Sequence, residues 1–212
     1  MQVGDPFYQG QHQLFDLPDK RSQILIPMPS DEDMGLSVAQ LADLLAGALI
    51  HSVDTKLDEG LGDFELQLVQ HVGPLGYADP ARQAEIKKFG EAAYTALGEL
   101  LRHIEAQNRT VTIDLTAGSN GTVAFAAGAR ALSAYKDHVS RVDLVDGRAS
   151  RVATADAIQL IGADKVRIIN THGDFSAPPW SIGNYDATRS LKVEFPQITS
   201  LLLTPKNGGL VL

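Results

Sequence analysis

Short segments with apolar residues at every second position, or in a short apolar run, alternate along this chain with longer segments of helical periodicity. The first pattern is typical of strands and the second of amphipathic helices. The first predicts strands over 23–29, 63–72, 110–116, 141–146, 165–170, 191–195 and 198–203. The second predicts helices over 37–53, 80–103, 121–138 and 151–161.

Regular alternation of strands and helices predicts βαβ crossovers and a parallel sheet. The expected fold class is therefore α/β, a three-layer sandwich with a mostly parallel sheet and helices on both faces. Residues 1–22 are polar and rich in Gln, Asp and Pro, which predicts an irregular N-terminal arm. Its aromatic side chains would pack on the body or on a second subunit, which leaves a homo-oligomer open. No repeat or linker interrupts 23–212, so we expect a single α/β domain there.

One junction between a predicted strand and a predicted helix has residues suited to catalysis. Gly118 and Gly121 flank Ser119 and Asn120 at this junction. A sharp turn there would lift the serine hydroxyl clear of the sheet and place it at a helix N-terminus.

The stretch Ala117-Gly118-Ser119-Asn120-Gly121 resembles the G-x-S-x-G nucleophile elbow of the α/β-hydrolase family, with alanine in place of the first glycine. Small residues are needed at both ends of that motif because strand and helix approach closely. The resemblance implies a serine hydrolase that acts on an ester or related acyl substrate through a covalent acyl-enzyme. It implies no metal and no cofactor.

Candidate catalytic residues follow three consecutive predicted strands: Ser119, then Asp146, then His172 with Asp174. The order Ser, Asp, His is the one that the family uses. Serine is a weak nucleophile until an imidazole removes its proton, and a carboxylate holds that imidazole in the required tautomer. By this resemblance Ser119 is the nucleophile and His172 the base, oriented by Asp146 or Asp174.

Three further residues are candidates for binding the substrate. The backbone N–H of Asn120 would be one oxyanion donor. A second donor is expected in the loop after an early strand, near Met28. Trp180 lies in a proline-rich loop and would form a lid or a substrate wall, or else pack on the core as part of a rigid surface loop.

The sequence departs from the family in its histidines. The family histidine usually follows the last strand, and no histidine follows His172. In that register Asp174 is the acid, and three alternatives are open: His172 acts from an unusual position, the chain is truncated, or the site has no working triad. The last alternative is a non-catalytic binding or assembly protein of the same fold. A third possible function is phosphate or nucleotide binding at 118–122. This stretch lacks the lysine of a P-loop, and the G-x-G-x-x-G spacing is absent.

The composition indicates which classes of partner and which cellular location to expect. A net charge of −8 over 212 residues argues against a nucleic-acid surface. The absence of cysteine excludes disulfides and thiolate catalysis. The histidines are too scattered to predict a metal site, and no apolar run reaches the roughly 18 residues of a membrane span. Without a signal-peptide pattern at the start, we expect a cytoplasmic protein with a small-molecule acyl substrate.

Overall fold

The computed structural model of the chain describes residues 22–26, 33–58, 64–72, 80–109, 111–170, 178–203 and 210–211, and every structural statement below concerns these residues. The strands are β1 (Ser22–Ile26), β2 (Phe64–Val72), β3 (Val111–Ser119), β4 (Val139–Val145), β5 (Val166–Asn170), β6 (Thr199–Leu203) and β7 (Leu210–Val211). The helices are α1 (Val38–Asp58), α2 (Pro80–Ala106), α3 (Gly121–Ser133), α4 (Arg151–Ile161) and α5 (Tyr185–Glu194). Short 3-10 turns cover Asp33–Gly35, Lys136–His138 and Ala163–Lys165.

The strands form one seven-stranded sheet in which their spatial order follows their order in the chain. Strands β1 to β6 pair in parallel, and β7 pairs antiparallel with β6. The prediction of an α/β fold with a mostly parallel sheet is confirmed. The carboxyl ends of β3, β4 and β5 consequently lie side by side at one edge.

The helices form a row in which α1 packs on α2, α2 on α3, and α3 on α4. Right-handed crossovers between strands that are neighbours in the sheet bring their helices to the same face. One apolar core fills the space between this row and the sheet, and it contains Phe89, Leu97, Ile113, Phe125, Leu144, Ile158 and Ile168.

The other face of β3, β4 and β5 is lined mainly by polar residues among those that the structure describes. Thr112, Asp114, Arg141, Asp143 and Arg167 lie there, alternating along each strand with core residues. The predicted placement of helices on both faces is therefore not shown. Chain-order strands give one helical layer, whereas helices on both faces require the strand order to reverse.

Helices α2 and α3 touch backbone to backbone because each contributes a glycine at the crossing. A Cβ on Gly90 would lie 2.1 Å from the carbonyl oxygen of Ala124, and one on Gly128 would lie 2.6 Å from that of Gly90. Nearby, the rings of Tyr94 and Phe125 meet edge to face with centroids 5.9 Å apart. This contact fixes α3, the helix that follows Ser119.

Most predicted elements are present, with shifted ends. The helix expected to reach His138 ends at Ser133 and is followed by a 3-10 turn. The strand predicted over 191–195 is wrong, because these residues form the end of α5 and the residue after it. The predicted N-terminal arm lies outside the described residues except for Ser22, which begins β1. The single domain over 23–212 stays a prediction.

Candidate active site

Ser119 occupies a strained turn between β3 and α3. It is the last residue of β3, Asn120 is the N-cap, and the helix begins at Gly121. The φ angle of Ser119 is +50°, in the left-handed region. That conformation costs a residue with a Cβ about 1–2 kcal/mol. Strain of this kind persists only where neighbouring contacts hold the backbone, and it concentrates at functional sites.

Two hydrogen bonds hold the carbonyl of Ser119. The hydroxyl of Thr122 donates to it at 2.7 Å, and the backbone N–H of Arg148 donates at 3.1 Å. Thr122 is fully buried, whereas Ser119 is half-buried. Buried groups therefore fix the backbone of the turn, while Ser119 itself remains partly exposed to solvent.

Asp146 lies beside Ser119 at the end of the neighbouring strand. Gly118 pairs with Val145, so the residues that follow them emerge side by side, about 5 Å apart at Cα. Asp146 is also left-handed, with a φ of +45°, and its N–H donates to Ile169 at 2.9 Å. Two adjacent parallel strands thus end in strained polar residues.

The segment after Asp146 is tied to the segment that contains Trp180. Gly183 donates its N–H to Gly147 at 2.7 Å, Ile182 to Ala149 at 3.0 Å, and Arg151 to Trp180 at 2.8 Å. A Cβ on Gly147 would lie 2.4 Å from the side chain of Ile182. The Trp180 residue is 52% exposed, so it is not packed into the core.

Asn170, the last residue of β5, is buried and donates its side-chain N–H to the hydroxyl of Thr188 at 3.1 Å. Thr188 in turn donates to the carbonyl of Ile182 at 2.7 Å. The residues predicted as base and acid, His172 and Asp174, follow within 171–177 and lie outside the described residues. Since β4 separates β5 from β3, their segment begins two strands away from Ser119.

Met28, the predicted source of a second oxyanion donor, also lies outside the described residues. The strand before it, β1, is separated from β3 by β2. Val72, at the end of β2, pairs directly with Ser119. β2 therefore ends next to the elbow, and the sequence did not lead us to select the residues that follow it, although Gly73-Pro74 is a pattern typical of turns.

A second polar region lies on the outer face of the sheet, and we name it the Asp–Arg ladder: Asp114, Arg141, Asp143 and Arg167. Arg141 donates to Asp114 at 2.8 Å, and Arg167 donates to both oxygens of Asp143 at 2.5 and 2.6 Å. A bulge opposite Ile113 and Asp114 adds Ser140 to β4, so its hydroxyl also reaches Asp114.

The ladder borders a cavity of about 340 Å³. Both of its carboxylates are buried and are matched by the two guanidinium groups. The hydrogen bonds to Asp143 raise the pKa of Arg167 above its ordinary value. Because the charges of its carboxylates and guanidinium groups neutralise one another, this region is organised for stability, and the strained edge at Ser119 is the better candidate site.

No cluster of three or more His, Asp or Glu residues that could hold a metal ion occurs in the described part of the chain. Within the same ranges, no helix is both long enough and apolar enough to cross a membrane.

Comparison with known proteins returns no match to a family model, to a curated protein or to a solved structure.

Proposed function

We propose that the chain is a serine hydrolase, related in arrangement to the α/β-hydrolases, that acts on an ester or related acyl substrate. The observation that carries the proposal is the left-handed conformation of Ser119 at a sharp turn from strand to helix. A nucleophile elbow has this geometry because the serine hydroxyl must stand clear of the sheet.

In the proposed mechanism, the Oγ of Ser119 attacks the acyl carbonyl carbon while the imidazole of His172 takes the hydroxyl proton. A carboxylate, Asp146 or Asp174, orients the imidazole and stabilises its protonated form. Asp146 is supported by its place beside Ser119 across the register of β3 and β4.

The negative charge that develops on the substrate oxygen would be stabilised at the start of α3. The N–H of Asn120, the N-cap, is the proposed donor, and the helix N-terminus adds a favourable partial positive charge. The protonated imidazole then gives its proton to the leaving alcohol. Water, activated by the same imidazole, hydrolyses the acyl-enzyme and restores Ser119.

Trp180 supports a site that takes a substrate with an apolar part. Its carbonyl is bound to the first residue of α4 while the residue itself remains largely exposed. We further propose that the substrate is a small acyl compound, that the protein is cytoplasmic and that it forms a homo-oligomer.

Labelling with a fluorophosphonate, which reacts covalently with activated serines, tests the mechanism. We expect the wild type to be labelled, and Ser119→Ala and His172→Ala to lose labelling while remaining folded by circular dichroism. Ser133→Ala is the matched control, because Ser133 lies at the other end of α3 and donates to Arg130. That variant should be labelled at the wild-type rate.

Folded wild type that resists labelling would contradict the hydrolase and favour a binding or assembly protein whose elbow is only structural. Labelling that persists in Ser119→Ala would show that another serine is the nucleophile.

A further inference from the structure

Thr122, the second residue of α3, has a hydroxyl whose hydrogen-bonding capacity is fully used. It donates to the carbonyl of Ser119 at 2.7 Å and accepts from the N–H groups of Arg148 and Ala149 at 3.0 and 2.9 Å. A hydroxyl has one donor and two acceptor sites, so these three contacts saturate it. The residue is also completely buried.

The bond to Ser119 has a consequence for the next peptide group. The carbonyl of Ser119 and the N–H of Asn120 belong to one planar trans peptide, in which they point in opposite directions. Holding the carbonyl oxygen toward Thr122 therefore fixes the direction of the Asn120 N–H on the other side. The proposed oxyanion donor is aimed by the hydroxyl of Thr122 together with the N–H of Arg148, which donates to both that hydroxyl and the carbonyl of Ser119.

The same hydroxyl also joins the elbow to the rest of the strand edge. Ala149, which donates to it, accepts from Ile182 at 3.0 Å. Ile182 accepts from Thr188, which accepts from Asn170 at the end of β5. A continuous set of hydrogen bonds thus runs from β3 to the strand that precedes His172.

We propose that Thr122 is a positioning residue that fixes the Ser119–Asn120 peptide plane and holds the elbow against Ala149 and, through it, Ile182. The inference rests on the proposed function where it concerns the oxyanion donor. The hydrogen-bond geometry that it predicts exists independently of catalysis.

The test compares Thr122→Val, which keeps the shape and removes the hydroxyl, with Thr122→Ser, which keeps the hydroxyl. Amide hydrogen exchange at Ala149 should be about tenfold faster in the valine variant, since its N–H loses an acceptor. The residual dipolar coupling of the Asn120 N–H bond should change. Both should return toward the wild-type values in the serine variant.

Fluorophosphonate kinetics provide the second measurement. The maximal rate of labelling should fall by about 10²-fold in Thr122→Val with the half-saturating concentration unchanged, because misplacement of a catalytic group slows chemistry without weakening binding. Thr122→Ser should restore the rate. Thr154→Val is the matched control: Thr154 is a buried threonine in the first turn of α4 whose hydroxyl donates to the carbonyl of Ser150 and not to that of Ser119.

The outcomes separate the two proposals. Unchanged exchange and unchanged dipolar coupling in Thr122→Val overturn the positioning role. A changed coupling with an unchanged labelling rate overturns its part in the site. If the wild type is not labelled, the hydrolase proposal fails, and the coupling and exchange alone decide whether Thr122 fixes the turn. Should the valine variant not fold, Thr122→Ala replaces it in the same comparison.

Discussion

The strained edge around Ser119 and the Asp–Arg ladder both draw residues from β3 and β4, yet they are built in opposite ways. At the edge, Ser119 and Asp146 are held in left-handed conformations. The ladder consists of buried carboxylates matched by arginines within the strands. None of its four residues has a positive φ, and its charges are compensated.

This difference separates a candidate site from a structural feature. A cluster of charged side chains can bind a ligand, but charges that are already paired with one another have little remaining capacity to do so. Strained backbone costs free energy and is retained where a geometry is needed. Substitutions in the ladder should therefore lower the free energy of unfolding. Substitutions at the edge should change the reactivity of Ser119, and their effect on the free energy of unfolding should be smaller or even stabilising.

The largest effect is expected for Asp143→Ala. Removing this buried carboxylate leaves Arg167 without its bidentate partner, which should lower the free energy of unfolding by about 3 kcal/mol. The arginine is partly exposed, so the loss should lie at the lower end of the range for buried pairs. Urea unfolding measures it.

The control for that variant is Glu194→Ala, which removes the half-exposed ion pair with Arg151. Its expected cost is below about 1 kcal/mol. Equal losses of unfolding free energy in the two variants would mean that the ladder contributes no more to stability than a surface ion pair. That result would contradict the structural role of the ladder.

Gly147→Ala should have the next largest effect, because the new Cβ would lie 2.4 Å from Ile182 and 3.1 Å from the methyl group of Thr122. Overpacking of this kind costs about 1–3 kcal/mol. We also expect slower fluorophosphonate labelling, since the segment held by Thr122 must move. Gly47→Ala is the matched control: among the described residues, no atom outside the adjoining backbone of α1 lies within 4 Å of its Cβ position, so helix propensity should stabilise that variant.

Ser119→Gly tests the strain directly. Glycine adopts a φ of +50° without penalty, so this variant should be more stable than Ser119→Ala by about 1 kcal/mol, with neither labelled. Thermal unfolding compares the two. The pair Asn108→Gly and Asn108→Ala provides the reference at another left-handed position, with a φ of +56° and no part in the site. If glycine gave no advantage over alanine at Ser119, the turn would not be strained.

The smallest effect is the pH dependence of stability that Tyr94 causes. Its ring packs on Phe125 of α3, the helix that follows Ser119. Burial raises the pKa of Tyr94 well above the ordinary tyrosine value of 10.0. The folded state therefore keeps its proton while the unfolded state releases it above pH 10, and stability falls as the pH rises. At pH 10.5 the wild type should lose about 0.8 kcal/mol more than Tyr94→Phe, relative to pH 8. Parallel losses in the two proteins would show that Tyr94 titrates normally.

Local patterns were sufficient to predict most elements of the fold. The helix over 151–161 has the predicted bounds, since Ser150 caps it and its apolar spacing is regular. The segment 191–195 misled because Leu-Lys-Val-Glu-Phe alternates over a few residues. Its true context is the helix that begins after the cap at Asn184, with Ala187, Thr188 and Leu191 buried at helical spacing.

Features that depend on how strands pair were not accessible from the sequence. Each member of the Asp–Arg ladder occupies an ordinary polar position of its own strand, and only the register with its bulge brings them together. The same limit applies to the end of β2, where Val72 pairs with Ser119. The junction of strand and helix at Ser119 was predictable because its motif is local, whereas the proposed role of Thr122 depends on contacts with the distant residues Arg148 and Ala149.

Peptide mass spectrometry of the fluorophosphonate-treated protein would locate the nucleophile directly. If Ser119 is the nucleophile, one adduct per chain is expected, on Ser119. An adduct on another residue, or no adduct on the folded protein, would contradict that assignment.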